Sequence, residues 1–188
     1  MSTARKLLLT ALILGALGGA AGLGAYSAFS GTTSNPGDSF QAGTVAIGDN
    51  DTGAALYNVT NKAPGDYAES CIKVTYTGSL AATVKLYRSS FTGGTGLDAY
   101  IDLSITKGTG SQFNCSDFSG STSVYSGTLS ALGTTFAAGV ALTNPSGNAN
   151  WSQNDAVTYK VRATLQDNNS AKGLATGTHS FTWEAQNT

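Results

Sequence analysis

The sequence predicts an all-β protein: an antiparallel, jelly-roll-like β-sandwich preceded by an N-terminal signal-peptide helix. Two observations carry the sandwich. From Phe40 onward apolar and polar residues alternate, which is the pattern of strands with one buried face. The alternating runs are separated by clusters of Gly, Pro, Asn and Asp, residues that favour tight turns and left-handed backbone. A third observation sets the order: the only run of helical character lies ahead of residue 28.

That run opens with Arg5-Lys6, continues through the apolar Leu7–Leu23 and ends in Ala25-Tyr26-Ser27-Ala28. A basic start, an apolar middle and a small-x-small site make a secretory signal peptide. Ala25 and Ser27 occupy the positions before the cut, so residues 1–27 are removed and the mature chain begins at Ala28. The segment is rich in glycine (Gly15, Gly18, Gly19, Gly22) and falls short of the roughly 20 apolar residues of a membrane span. Contact with the membrane is therefore expected only as a precursor, the alternative being retention of the segment as an anchor. Residues 28–39 are polar and without alternation, and read as a flexible arm. Phe29 and Phe40 are its large apolar anchors. The remaining residues, 40–188, form one domain.

Within that domain the clearest run sets Val157, Tyr159, Val161, Ala163 and Leu165 against Thr158, Lys160, Arg162 and Thr164. Ile72, Val74 and Tyr76 form another, as do Val84 and Leu86, then Ile101, Leu103 and Ile105, and finally Phe181, Trp183 and Ala185. Weaker segments are Gly43–Ile47, Ala55–Thr60, Ser123–Leu129 and Phe136–Leu142, the last of which reads equally as a helical turn. Pro64-Gly65-Asp66 fits a type II turn, because Gly accepts the positive φ required after Pro. The chain ends at Gln186-Asn187-Thr188 with no sorting motif or apolar tail, which gives no support to covalent attachment at a cell wall.

Composition excludes several functions. After cleavage eight basic and eleven acidic residues remain, and a net negative chain lacks the basic surface that nucleic acid or anionic lipid requires. The two cysteines, Cys71 and Cys115, are most simply one disulfide in an oxidising compartment. Free thiols or an intermolecular bridge are the other possibilities. Closing that loop stabilises by about 4 kcal/mol in the chain-entropy model.

Catalytic patterns are thin. A zinc hydrolase needs several ligands and a base, whereas the chain has one histidine, His179, which reads as a turn or surface residue. No Gly-x-Ser-x-Gly elbow is present. Asp98 and Asp102 would serve as a glycosidase pair only by placement. Asp49-Asn50-Asp51 begins like a calcium loop but lacks its distal ligands. Trp183 belongs to an apolar strand face, while Trp151 reads as a loop residue able to stack on sugar rings, which makes a carbohydrate-binding secreted module a further alternative. Asn-x-Ser/Thr occurs at Asn58, Asn114, Asn150 and Asn168, at a frequency expected by chance. No catalytic residue, metal site or cofactor is assigned, and the protein is expected not to be an enzyme.

Five stretches taken together resemble a known family. They are Gly24-Ala25-Tyr26-Ser27-Ala28-Phe29-Ser30, Ser39-Phe40-Gln41-Ala42-Gly43-Thr44-Val45, Ala63-Pro64-Gly65-Asp66, Thr77-Gly78-Ser79-Leu80 and Phe181-Thr182-Trp183-Glu184-Ala185-Gln186. Each is weak, but their order is similar to that of the TasA/camelysin (CalY) family of secreted proteins, whose precursors are cut by the signal peptidase SipW. The cysteine pair and the shorter length depart from that pattern. The resemblance implies a jelly roll and, in the TasA branch, a structural subunit of extracellular biofilm-matrix fibres or a surface layer. Its partners would be copies of itself and, during export, the signal peptidase. The camelysin branch implies the rival reading, a metalloendopeptidase. An arm beginning at Ala28 and anchored by Phe29 and Phe40 could join subunits by adding itself to a neighbour's open sheet edge.

Overall fold

A computed structural model describes residues 41–188, of which Ala42–Thr188 form one compact unit. The cleavage residues Ala25, Ser27 and Ala28, the anchors Phe29 and Phe40 and the rest of the arm lie outside the described residues. Nine strands follow in order: β1 (Ile47–Asp49), β2 (Tyr67–Tyr76), β3 (Ala82–Thr92), β4 (Ile101–Thr109), β5 (Ser119–Thr128), β6 (Val140–Leu142), β7 (Asn150–Trp151), β8 (Ala156–Leu165) and β9 (Thr178–Asn187). Among the described residues helical structure is limited to three 3₁₀ turns, at Leu97–Tyr100, Leu129–Ala131 and Asn169–Ala171. Among the described residues no helix is long and apolar enough to cross a membrane.

The strands form two antiparallel sheets. One has the order β1-β2-β8-β4-β5. In the other, β3 is central, with β9 along one side and the short β6 and β7 along the other. The alternation seen in the sequence puts one face of each sheet inside. Ile72, Val74 and Tyr76 of β2, Leu103 and Ile105 of β4, and Val157, Tyr159, Val161 and Ala163 of β8 face Ala82, Val84 and Leu86 of β3, with Leu142 and Trp151. Burying each large side chain contributes about 1.5–3 kcal/mol, and together they make the sandwich an all-β jelly-roll-like fold.

Several segments differ from the sequence expectation. Ala55–Thr60 forms no strand; only Leu56 and Tyr57 turn inward while their neighbours stay exposed. The Gly43–Ile47 strand is shifted, beginning only at Ile47. Phe136–Leu142 contributes only its last three residues, as β6. The turn at Ala63–Asp66 is as expected: Gly65 has φ 83° and the Asp66 N–H donates to the Ala63 carbonyl. The Asp66 carboxylate in turn accepts from the Ala63 N–H.

Cys71 on β2 and Cys115 in the β4–β5 connection form a disulfide, with Cα atoms 5.1 Å apart. It fastens the 110–118 loop over the β2 side of the first sheet. At the same end of the sheet Lys107 donates to Thr143 Oγ1 and to the Asn144 carbonyl, tying β4 to the β6–β7 connection. Burial holds the Lys107 amine below its ordinary pKa. Asn144 itself is buried and fully bonded, to Asn148, Asn150 and Asp155.

Candidate functional site: the β9 edge and its cleft

A sandwich has four sheet edges, and an unpaired edge exposes a row of N–H and C=O groups able to bind another strand. The edges of this domain are not equivalent. The β5 edge is broken by two register shifts against β4, and such bulges bend a strand away from regular pairing. The β6/β7 edge consists of strands of three and two residues. The β2 edge is covered by β1 and by loop groups. Only β9 is long and regular: Ser180 to Asn187 pair residue by residue with Ser89 to Ala82, without a shift. Among the described residues β9 pairs with β3 alone.

The inward residues of β9 are His179, Phe181, Trp183 and Ala185, the register fixed by the pairing with β3. Beside them, between β9 and the β1–β2 side of the first sheet, opens a cleft of about 190 Å³ lined by Ile47, Gly48, Asp49, Val74, Phe181, Thr182 and Trp183. The Trp183 ring lies 6.3 Å from Tyr159. The indole N–H and the Tyr159 hydroxyl both lack a hydrogen-bond partner. Two buried donors without acceptors are costly, and here they sit in the seam between the two sheets.

Further along the seam a polar cluster closes the gap. Tyr57, from the β1–β2 connection, has its hydroxyl 2.7 Å from His179 Nε2 and its ring edge-on to Phe181. Behind it Arg88 and Asp98 form an ion pair at 2.9 Å, with side chains 9% and 14% exposed. Arg88 follows Val84 and Leu86 on the inward side of β3, and its guanidinium also lies over the Phe91 ring. Burial, and then the Arg88 charge, keep His179 below its usual pKa, against the opposing pull of the Gly177 carbonyl and Asp98. Burial pushes the Tyr57 hydroxyl well up. The cluster therefore carries one fixed ion pair and a neutral imidazole.

The residues singled out from the sequence fall as follows. His179 is not a turn or surface residue; it is half-buried on β9, because the strand begins one residue earlier, at Thr178. Trp151 is no exposed sugar platform: it is fully buried on β7, with its indole N–H donating to the Leu142 carbonyl. Trp183 packs against the core and lines the cleft. Asp98 is paired with Arg88, while Asp102 accepts from Gln166 on the outer face of β4. Asp49 and Asp51 accept backbone N–H groups of Asp51 and Gly53, the ordinary bonds of a polar turn. Among the described residues no three His, Cys, Asp or Glu side chains lie close enough to hold a metal ion. Asn58, Asn114, Asn150 and Asn168 are all exposed.

Arg88 and Tyr57 were not singled out by sequence reasoning. The signal for Arg88 was present, since the alternation of Val84 and Leu86 places residue 88 on the same inward face. Tyr57 had none, because its segment has no regular period. No family model matches this chain, and neither does any curated protein.

Proposed function

We propose that the chain is a secreted structural protein of the TasA/camelysin type, a subunit of an extracellular matrix fibre or surface layer. Joining occurs by strand donation: the arm at residues 28–39, freed by signal cleavage, pairs along the β9 edge of the next copy. The observation that carries this reading is the unbroken outer edge of β9. Main-chain hydrogen bonds along such an edge give affinity, and alternate side chains give register. The cleft supplies room for an aromatic anchor such as Phe29 or Phe40. The disulfide fits an oxidising, extracellular setting, and the ordered sequence motifs support the family.

Electron microscopy of the mature protein, with and without residues 28–36, tests the proposal. Filaments are expected from the full mature chain, and a folded monomer from the truncated one. Fibres that persist after truncation would overturn strand donation. A casein assay with and without chelator addresses the enzymatic rival: chelator-sensitive hydrolysis by pure protein would overturn the structural reading.

A further inference from the structure

The outer edge of β2 would be as open as that of β9 were it not closed group by group. At one end β1 covers it, with Gly48 opposite Thr75 and the Thr77 N–H donating to the Ala46 carbonyl at 2.9 Å. Beyond β1, the Lys73 N–H donates to Asn50 Oδ1 at 2.8 Å. Next, the Cys71 N–H donates to the Phe113 carbonyl at 2.9 Å. Asn50 is held in place by its own amide, which donates to the Ser111 carbonyl at 2.8 Å. Both covers beyond β1 thus depend on the 110–118 loop.

Beyond these bonds the loop touches the sheet through Phe118, whose ring lies 5.1 Å below the Lys160 ammonium of β8. Phe113, Cys115 and Phe118 are half-buried and Gly110 is partly covered, while the other residues are exposed. The Asp117 carboxylate bonds Ser111 and Gln112, which organises the loop internally without attaching it to β2. Thr158 reaches only the Gly110 carbonyl at its root. Cys115 has φ 62°, a left-handed conformation that a residue with a Cβ does not choose freely. The disulfide is what fixes the loop at its far end.

We propose that the Cys71–Cys115 disulfide operates an edge guard: its reduction frees the 110–118 loop and uncovers the outer edge of β2. A small dithiol supplies the two electrons and two protons, leaving two cysteine thiols and becoming a disulfide itself. The guard is independent of strand donation at β9, and its test does not depend on whether filaments form.

Amide hydrogen exchange, read residue by residue by NMR on the full mature chain, tests the guard. Cys71→Ala/Cys115→Ala, and the wild type reduced with dithiothreitol, are expected to exchange the amides of residues 71 and 73 at least tenfold faster. Ile72 and Val74, whose amides face β8, are expected to stay within twofold of the oxidised protein. Asn50→Ala in the oxidised protein is expected to expose Lys73 and leave Cys71 protected. Unchanged exchange at 71 and 73 in the disulfide-free protein overturns the proposal. Uniform acceleration of the whole of β2 overturns it too, since the bond would then hold the fold and not a cover. No acceleration of Lys73 in Asn50→Ala likewise counts against it.

Discussion

Replacing Asp98 with alanine strands a buried cation. The Arg88 side chain is 9% exposed, and its Nη1 loses the carboxylate oxygen now 2.9 Å away. Its Nε already lacks a partner, so the guanidinium has few alternatives. At about 4 Å and an effective dielectric near 20, the lost attraction is about 4 kcal/mol. The Phe91 ring lies beneath the guanidinium before and after the change and so offsets none of this loss. The expected cost of Asp98→Ala is about 3–4 kcal/mol, in the range for breaking a buried pair. Urea titration at pH 7 measures it. Arg88→Met combined with Asp98→Leu should recover most of the loss, because neither charge then remains to be desolvated. A cost for Asp98→Ala below about 1 kcal/mol, the value of an exposed pair, would refute the reasoning.

The other predictions concern the core and the seam. Trp151→Ala should destabilise by about 3–5 kcal/mol, measured as a lower urea midpoint, because the side chain is fully buried. His179 is held below its ordinary pKa, so on acidification from about pH 7 the unfolded state takes up the proton first and stability falls. With one histidine in the chain, His179→Gln should flatten the stability profile between about pH 7 and 5; an unchanged slope would remove His179 as its source. The wild-type slope is bounded by one proton, about 1.4 kcal/mol per pH unit, and is smaller because the ring is only half-buried. Gly133→Ala would drive a Cβ into the Ala138 backbone carbonyl, and Gly133 also accepts from the Arg88 N–H. A loss of about 1–3 kcal/mol, seen by thermal unfolding, is expected.

How much of this was legible in the sequence depends on length of pattern. β8 was plain because nine residues, Val157 to Leu165, alternate without interruption, and its neighbours on both sides keep that register. β7 was invisible because two residues have no period, and so Trp151, flanked by Asn150 and Ser152, passed for a loop residue. Turn chemistry was readable where one backbone conformation demands one residue, as at Gly65. The candidate edge was not readable at all. Whether a strand is flanked on one side or both is a property of topology, which alternation does not encode. The Arg88 cluster lies between these cases: its inward register was written in β3, but its partner Asp98 comes from a 3₁₀ turn whose position only the fold determines.

The placement of β8 has a consequence in time. It sits at the middle of the larger sheet, where it pairs Tyr67 of β2 with Thr164 and Ile101 of β4 with Leu165. β2 and β4 have no ladder with each other, only with β1 and β5 on their outer sides, so the two halves of the sheet are joined only by the last third of the chain. Such distant pairings make folding slow. The larger sheet is therefore completed late, when its central strand arrives between two hairpin-paired halves that precede it in the chain.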